Sequence, residues 1–282
     1  MAKAPILLIG CGKMGSAMLD GWLSDDQLDA DFTVIEPFQG ARDALKGREV
    51  AAYASAAEMA TARTSQDLAF HMVVLAVKPQ MMAETLDDFL AAAGASVGPD
   101  TAYLSIAAGI TGGLLTRHLG AEANWLRAMP NTPAAIGQGI TALYAPDHVP
   151  SDIGRLASQL LSAIGQVEML ATEAQMDAVT ALSGSGPAYV FYLAEVMALA
   201  GERLGLDAEL AMRLGRQTVA GAGALMASND TPASVLRENV TSKGGTTAAA
   251  LSVLMRDDAG LSDILDEAMR AAHARSQELA GD

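Results

Sequence analysis

The sequence predicts a parallel α/β domain followed by an all-α domain. Three observations carry that expectation. Short apolar runs alternate with helical stretches through the first 167 residues, strand signals cease after about residue 170, and the rest reads as helices with apolar residues at helical spacing. A single core stops growing efficiently at roughly 250–300 residues. The 282-residue chain is therefore expected to form two domains, 1–167 and 168–282.

Taken in order, Ile6–Ile9 reads as a strand and Lys13–Leu23 as a helix, then Phe32–Ile35 as a strand and Gln39–Leu45 as a helix. Val50–Tyr53 is a weak strand. Met72–Val77 (MVVLAV) is a strong one, with four branched aliphatics in six residues. Pro79 opens a helix to about Ala93, because proline suits a first helical turn. Ala102–Ile106, Trp125–Met129, Ile140–Tyr144 and Gln166–Leu170 read as further strands. Strands separated by helices imply a parallel sheet with crossovers. Beyond them, Pro187–Leu204 carries apolar residues at 189, 193, 196, 200 and 204, and also Val190, Met197 and Leu199 on its other faces. A helix apolar nearly all round needs burial on every side. The small second domain cannot supply that alone, so a homodimer through it is expected. The run Ala220–Ala224 (AGAGA) is small enough for close helix approach.

A 51% hydrophobic and 18% charged composition is that of a globular protein. The net charge of −15 and 4% aromatics exclude nucleic acid and anionic lipid as partners. One cysteine, Cys11, permits neither an internal disulfide nor a multi-cysteine metal site. His71, His118, His148 and His273 show no metal-ligand spacing, so no metal is expected. The N-terminal apolar run enters a glycine turn before any cleavage signal and reads as a strand. Pro187–Gly201 carries Glu195 and is too short for a membrane span. A cytoplasmic protein with no membrane partner is expected.

The sharpest motif is Gly10-Cys11-Gly12-Lys13-Met14-Gly15, between the first strand and the first helix. Glu36 closes the second strand, where a dinucleotide fingerprint wants an acid. Gly10 suits a tight turn, Gly12 lets main chain approach a pyrophosphate, and Gly15 lets the helix pack on the strand; the helix N-terminus offers N–H groups to the anion. This marks a nucleotide-binding domain of the Rossmann type. Facing inward, Glu36 would accept hydrogen bonds from ribose hydroxyls and favour NADH; it could instead turn outward beside Pro37. Lys13 and Arg42 are candidate partners of a 2′-phosphate. Ala76-Val77-Lys78-Pro79 ends the fourth strand, which places Lys78 near the nicotinamide end of the cofactor. Ser242-Lys243-Gly244-Gly245-Thr246-Thr247 precedes a helix and suits an anion nest, with Thr246 or Thr247 as N-cap; a plain capped turn fits the same residues.

GCGKMG (10–15), AVKP (76–79), SIAAGI (105–110), RAMPNTPA (127–134), ALSGSGPAYVF (181–191) and NVTSKGGTTAAAL (239–251) together resemble the pyrroline-5-carboxylate reductase family over nearly the full length. The last three, in this order and spacing, are the most specific. The resemblance implies a Rossmann domain joined to an all-α dimerisation domain, often assembled into rings of dimers. It implies hydride transfer from NADH or NADPH to the C=N bond of Δ1-pyrroline-5-carboxylate, giving L-proline in proline biosynthesis. It assigns Gly10, Cys11, Gly12, Lys13, Met14 and Gly15 to the pyrophosphate, and Ala76, Val77, Lys78, Pro79, Ala107 and Asn131 to the rest of the cofactor. At Glu36-Pro37-Phe38, where the family often carries a polar or basic pair, the acid is this sequence's own and speaks against NADP preference. Ser242, Gly245 and Thr246 are implied to bind the substrate carboxylate, and Thr247 to hydrogen-bond the ring nitrogen as the catalytic residue.

Two positions depart from the family pattern. Lys13 stands where asparagine is common, and Lys243 where proline is common in the turn before the two glycines. Other readings of the sequence are a reductase of another cyclic imine, a β-hydroxyacid dehydrogenase-like enzyme, and a non-catalytic NAD(P)-binding protein. The dehydrogenase reading wants a lysine on the long helix after Ser183, which offers Glu195 and Arg203 instead.

Overall fold

The computed structural model describes residues 3–63, 69–94 and 97–281. Among them one sheet runs in the order β3-β2-β1-β4-β5-β6-β7-β8. Its strands are β1 (Ala4–Ile9), β2 (Ala30–Ile35), β3 (Val50–Tyr53), β4 (Met72–Leu75), β5 (Ala102–Ser105), β6 (Asn124–Met129), β7 (Gly139–Tyr144) and β8 (Gly165–Met169). The first six in that order are parallel, as the alternating pattern predicts. β7 is not: it runs antiparallel to β6. A parallel return needs a dozen or more residues, and only residues 130–138 lie between these strands, part of them in a 3₁₀ turn, Thr132–Ile136.

The helices of this unit cover both faces. In β1, Ile6 and Leu8 join one core with Met18, Leu19 and Trp22 of α1 (Lys13–Ser24) and Leu160 and Leu161 of α6 (Ser151–Ser162). Leu7 and Ile9 join the other with Met59 of α3 (Ala56–Ala62), Leu86 and Phe89 of α4 (Met82–Ala93) and Leu115 of α5 (Gly112–Leu119). Burial on both sides is why β1 and β4 read as continuous apolar runs. The indole of Trp22 stacks on Phe32 and donates to Leu160 O at 2.8 Å, so the largest side chain of this core leaves no polar atom unsatisfied. Pro79 opens a 3₁₀ turn, Pro79–Met81, before α4, and α2 (Gln39–Asp43) is a single short turn.

Two compact units emerge: residues up to Gly184 together with His273 onward, and Ser185–Ala272. The last strand ends at Met169; α7 (Gln175–Val179) and a π-helical turn, Thr180–Gly184, still belong to the first unit. The second unit holds α8 (Gly186–Arg203), α9 (Ala208–Ala227), α10 (Ala233–Asn239), α11 (Thr246–Leu254) and most of α12 (Leu261–Gly281). Its close helix approach lies at Gly215, whose missing Cβ would stand 3.0 Å from Ala194 O, and at Gly201 against Ala211. The AGAGA run makes no such approach: a Cβ at Gly221 or Gly223 would meet nothing within 4 Å. Along α8 only Ala198 is buried, while Phe191 is 67% exposed and Val190, Leu193 and Met197 are exposed beside it. The apolar faces of this unit stand uncovered in the single chain. No helix among the described residues is long and apolar enough to cross a membrane.

Packing is tight at the start of α1, where a Cβ on Gly15 would collide with the carbonyl of Gly10. Main chain cannot yield as a flexible side chain does, so Gly15→Ala is expected to destabilise by about 1–3 kcal/mol. A melting curve should fall by about 2–4 °C for each kcal/mol. An unchanged midpoint would refute the contact.

Candidate active site

β1, β2, β4, β5 and β6 are parallel, so their carboxyl ends share one edge, and the residues expected at the cofactor collect there. Gly10 has φ +94°, open to glycine, and a Cβ there would lie 2.7 Å from Ala76 O. Its N–H donates to Ile35 O at 2.8 Å, and the N–H of Ala76 donates to Ile9 O at 2.8 Å. Three strand ends are thereby laced around one turn. Gly12 is the N-cap of α1, without a capping side chain. A Cβ on Gly12 would meet nothing within 4 Å, in contrast to Gly10 and Gly15. Nothing among the described residues requires glycine at position 12. The space it keeps open adjoins the first N–H groups of α1, which have no intrahelical partner, and that is what a pyrophosphate needs. Lys13 is exposed and Met14 half-buried.

Glu36 faces inward. It is 8% exposed, its Oε2 accepts the N–H of Cys11 at 2.6 Å, and its Oε1 accepts the N–H of Phe38 at 2.8 Å. The acid therefore ties the end of β2 to the glycine loop, and the outward orientation is not adopted. Burial, and then the Glu36 charge, push the Cys11 thiol up to about 11, so it stays protonated and neutral at physiological pH. Arg42 Nη1 donates to the carbonyls of Glu36 and Pro37, both at 2.7 Å.

β4 stops at Leu75, which leaves Ala76 and Val77 in the loop, both half-buried, with Lys78 exposed at the cap of the 3₁₀ turn and Pro79 as its first residue. Ala107 is half-buried beyond β5, two residues before Gly109 at φ +76°. Asn131 is buried and its amide is committed: Nδ2 donates to Ser183 O at 3.2 Å and Oδ1 accepts Ile140 N–H at 3.0 Å. A Cβ on Gly184 would stand 2.5 Å from Met129 Cε. The segments RAMPNTPA and ALSGSGPA, far apart in sequence, are thus packed together at the π-helical turn.

In the helical unit, Ser242, Gly245, Thr246 and Thr247 share one loop. Gly244 is left-handed at φ +73°, and Gly245 donates its N–H to Ser242 O at 3.0 Å. The N-cap of α11 is Gly245, not a threonine. Thr246 and Thr247 occupy the first helical positions, and neither hydroxyl makes a hydrogen bond to the described residues. A glycine cap leaves the first amides of α11 without a side-chain acceptor. Lys243 is exposed and in no ion pair with a described residue.

Sequence reasoning missed a charged cluster beneath the first unit's edge. Buried Arg127 donates to Glu173 Oε1 at 2.6 Å, and the same oxygen accepts Gly112 N–H at 2.6 Å, at the start of α5. The signal was there: an arginine within an otherwise apolar strand needs a partner. Ser276 near the C-terminus, buried and donating to Asp177 Oδ1 at 2.7 Å, offered no comparable signal.

Comparison with known proteins agrees with this geometry. The family model for pyrroline-5-carboxylate reductase dimerisation matches residues 173–279, and that for NADP oxidoreductase, coenzyme F420-dependent, matches residues 5–109. The pyrroline-5-carboxylate reductase of Pseudomonas aeruginosa is 38% identical over 280 residues, covering 99% of this chain and 98% of that one. That of Haemophilus influenzae is 38% identical, covering 97% of each. Among solved structures, a pyrroline-5-carboxylate reductase from Coxiella burnetii superposes with a TM-score of 0.86 at 32% identity, over 99% of both chains. Plasmodium falciparum pyrroline carboxylate reductase with NADP bound gives 0.79 at 26% identity, again over 99% of both. A nucleotide-type glycine turn, an open helix N-terminus on the following unit and full-length likeness of both sequence and fold converge: the chain belongs to the pyrroline-5-carboxylate reductase family.

Proposed function

We propose that this chain reduces the C=N bond of Δ1-pyrroline-5-carboxylate to L-proline with NADH or NADPH, through the residues assigned here. The observation that carries the substrate assignment is the loop 242–247, where a glycine cap leaves helix amides and the hydroxyls of Ser242, Thr246 and Thr247 unspent. Amides at a helix start favour an anion, and a substrate carboxylate is one. In this reading Ser242, Gly245 and Thr246 hold the carboxylate. Thr247 hydrogen-bonds the ring nitrogen, and Lys243 adds positive charge beside the nest. The bound nicotinamide supplies the hydride. Gly10 to Gly15 hold the pyrophosphate, with Lys13 near it. Glu36 takes the ribose, and Ala76, Val77, Lys78, Pro79 and Ala107 flank the nicotinamide half. Asn131 positions its turn through Ser183 and Ile140, leaving main chain to meet the cofactor. Orientation of the reacting carbons supplies much of the acceleration. Protonation of the nitrogen goes through Thr247 and water or precedes binding.

The dimerisation region and the uncovered apolar face of the helical unit support a homodimer, and we extend this to a ring of dimers in the cytoplasm. The reaction is tested by loss of reduced-nicotinamide absorbance with Δ1-pyrroline-5-carboxylate, NADH and NADPH in parallel. Absence of turnover with both cofactors would refute the substrate.

Thr247→Ala should lower kcat by about ten- to hundredfold, the scale of one lost hydrogen bond to a reacting group. Cofactor affinity should stay within about twofold, and an equal loss of NAD(P)H binding would contradict the role. Gly12→Ala should fold with an unchanged melting midpoint, since its Cβ has room. It should nonetheless bind dinucleotide about tenfold or more weakly, because that Cβ occupies the pyrophosphate's approach. In sedimentation the protein should run at a multiple of its 29.0-kDa chain, and Phe191→Glu should shift it toward a single chain. A monomeric wild type would overturn the assembly.

A further inference from the structure

Resting on the dinucleotide reading above, we propose that this chain selects NADH over NADPH, that Glu36 sets the selection, and that Arg42 is a latent phosphate ligand that Glu36 overrides. The carboxylate is fixed. Each of its oxygens accepts one main-chain N–H, from Cys11 at 2.6 Å and from Phe38 at 2.8 Å, and the group is 8% exposed. Swinging it aside would strand two amide donors at the turn that carries the pyrophosphate site. A carboxylate oxygen has two acceptor positions, so each keeps one for a ribose hydroxyl. A 2′-phosphate offers acceptors where the carboxylate needs donors, and it brings about −1.5 to −2 charges.

No cation among the described residues neutralises Glu36. Arg42 is the near one, yet its Nη1 donates to the carbonyls of Glu36 and Pro37 rather than to the carboxylate. Those two bonds seat the guanidinium at the rim of the β2 end. Its Nη2 and Nε make no hydrogen bond to the described residues and remain available to an anion. Lys13, the other candidate, is exposed and lies in no ion pair with a described residue. The pocket thus carries an acid that rejects the 2′-phosphate and, beside it, an arginine able to hold one.

The test is binding of each dinucleotide without imine, followed by nicotinamide fluorescence, together with kcat/KM. Wild type should bind NADH about tenfold or more tightly than NADPH, since close like charges at a partly screened site exceed that factor. Glu36→Gln should tighten NADPH by about tenfold and weaken NADH. Adding Arg42→Ala to that variant should undo the gain for NADPH while leaving NADH within about twofold. Equal or tighter NADPH binding by wild type, which needs no variant to fold, would overturn the proposal. So would an unchanged ratio in Glu36→Gln; an NADPH gain that survives Arg42→Ala would remove the arginine's part. Failure of both dinucleotides to bind wild type would instead sink the nucleotide reading itself. Binding without imine turnover would sink only the substrate.

Discussion

Main chain touching main chain at the end of β1 is the constraint from which the carboxyl edge of the sheet is built. Gly15 rests on the carbonyl of Gly10, and Gly10 rests on that of Ala76. No side chain intervenes, so α1 starts directly over β1 and its first amides open onto the edge. The same contact joins β1 to β4, which brings the loop 76–79 beside the glycine turn, and Gly10 N–H to Ile35 O joins it to β2. Glu36 completes the lacing through Cys11 N–H. A ligand arriving at this edge meets a surface already ordered, so less entropy is lost on binding than a mobile loop would cost.

A second set of contacts keeps the far end of the edge in register with the chain that leaves it. Arg127 and the start of α5 share one oxygen of Glu173, and Asn131 reaches both β7 and the carbonyl of Ser183. A half-buried ion pair adds little net stability once desolvation is counted, but its geometry admits few alternatives. Its use here is to fix where the segment after β8 crosses the sheet. The π-helical turn at Thr180–Gly184 then lies against Met129, whose terminal methyl sits where a Cβ on Gly184 would be. π-turns persist where a site repays their poorer hydrogen bonding.

Most of the fold was legible because its signals are local. β1, β2, β3 and α1 were readable from apolar runs and from the glycine turn, and β4 from its aliphatics. The direction of β7 was not, since strand propensity carries no sign; only the shortness of residues 130–138 encodes it. The turn at the carboxyl edge was legible in Gly10, Gly12, Gly15 and Glu36, whose spacing is fixed by the turn itself. The orientation of Glu36 was not, because Cys11 N–H, its partner, is main chain and leaves no trace in composition. The cap of α11 went to Gly245 rather than a threonine for a related reason. Threonine has the better capping side chain, but the turn through left-handed Gly244 sets where the helix begins. Glu173 and Ser276 act over long sequence separations, and periodicity cannot see those.

The net charge of −15 bears on both remaining features, the uncovered helical face and the glycine-capped start of α11. Two such chains repel, but salt screens exposed charges beyond about 8 Å at physiological ionic strength. Association is then decided at contact range, where α8 presents Val190, Phe191, Leu193 and Met197 with Glu195 among them. Apolar area removed from water contributes about 25 cal/mol per Å² and is indifferent to the acidic surface around it. The same screening makes recognition of an anion feasible in an acidic protein. A carboxylate within a few ångströms of the α11 amides, with Lys243 beside them, responds to those groups and hardly to distant acids. Main-chain donors left open by glycine are what such recognition needs, and Gly12 on one unit and Gly245 on the other are both helix caps without a capping side chain.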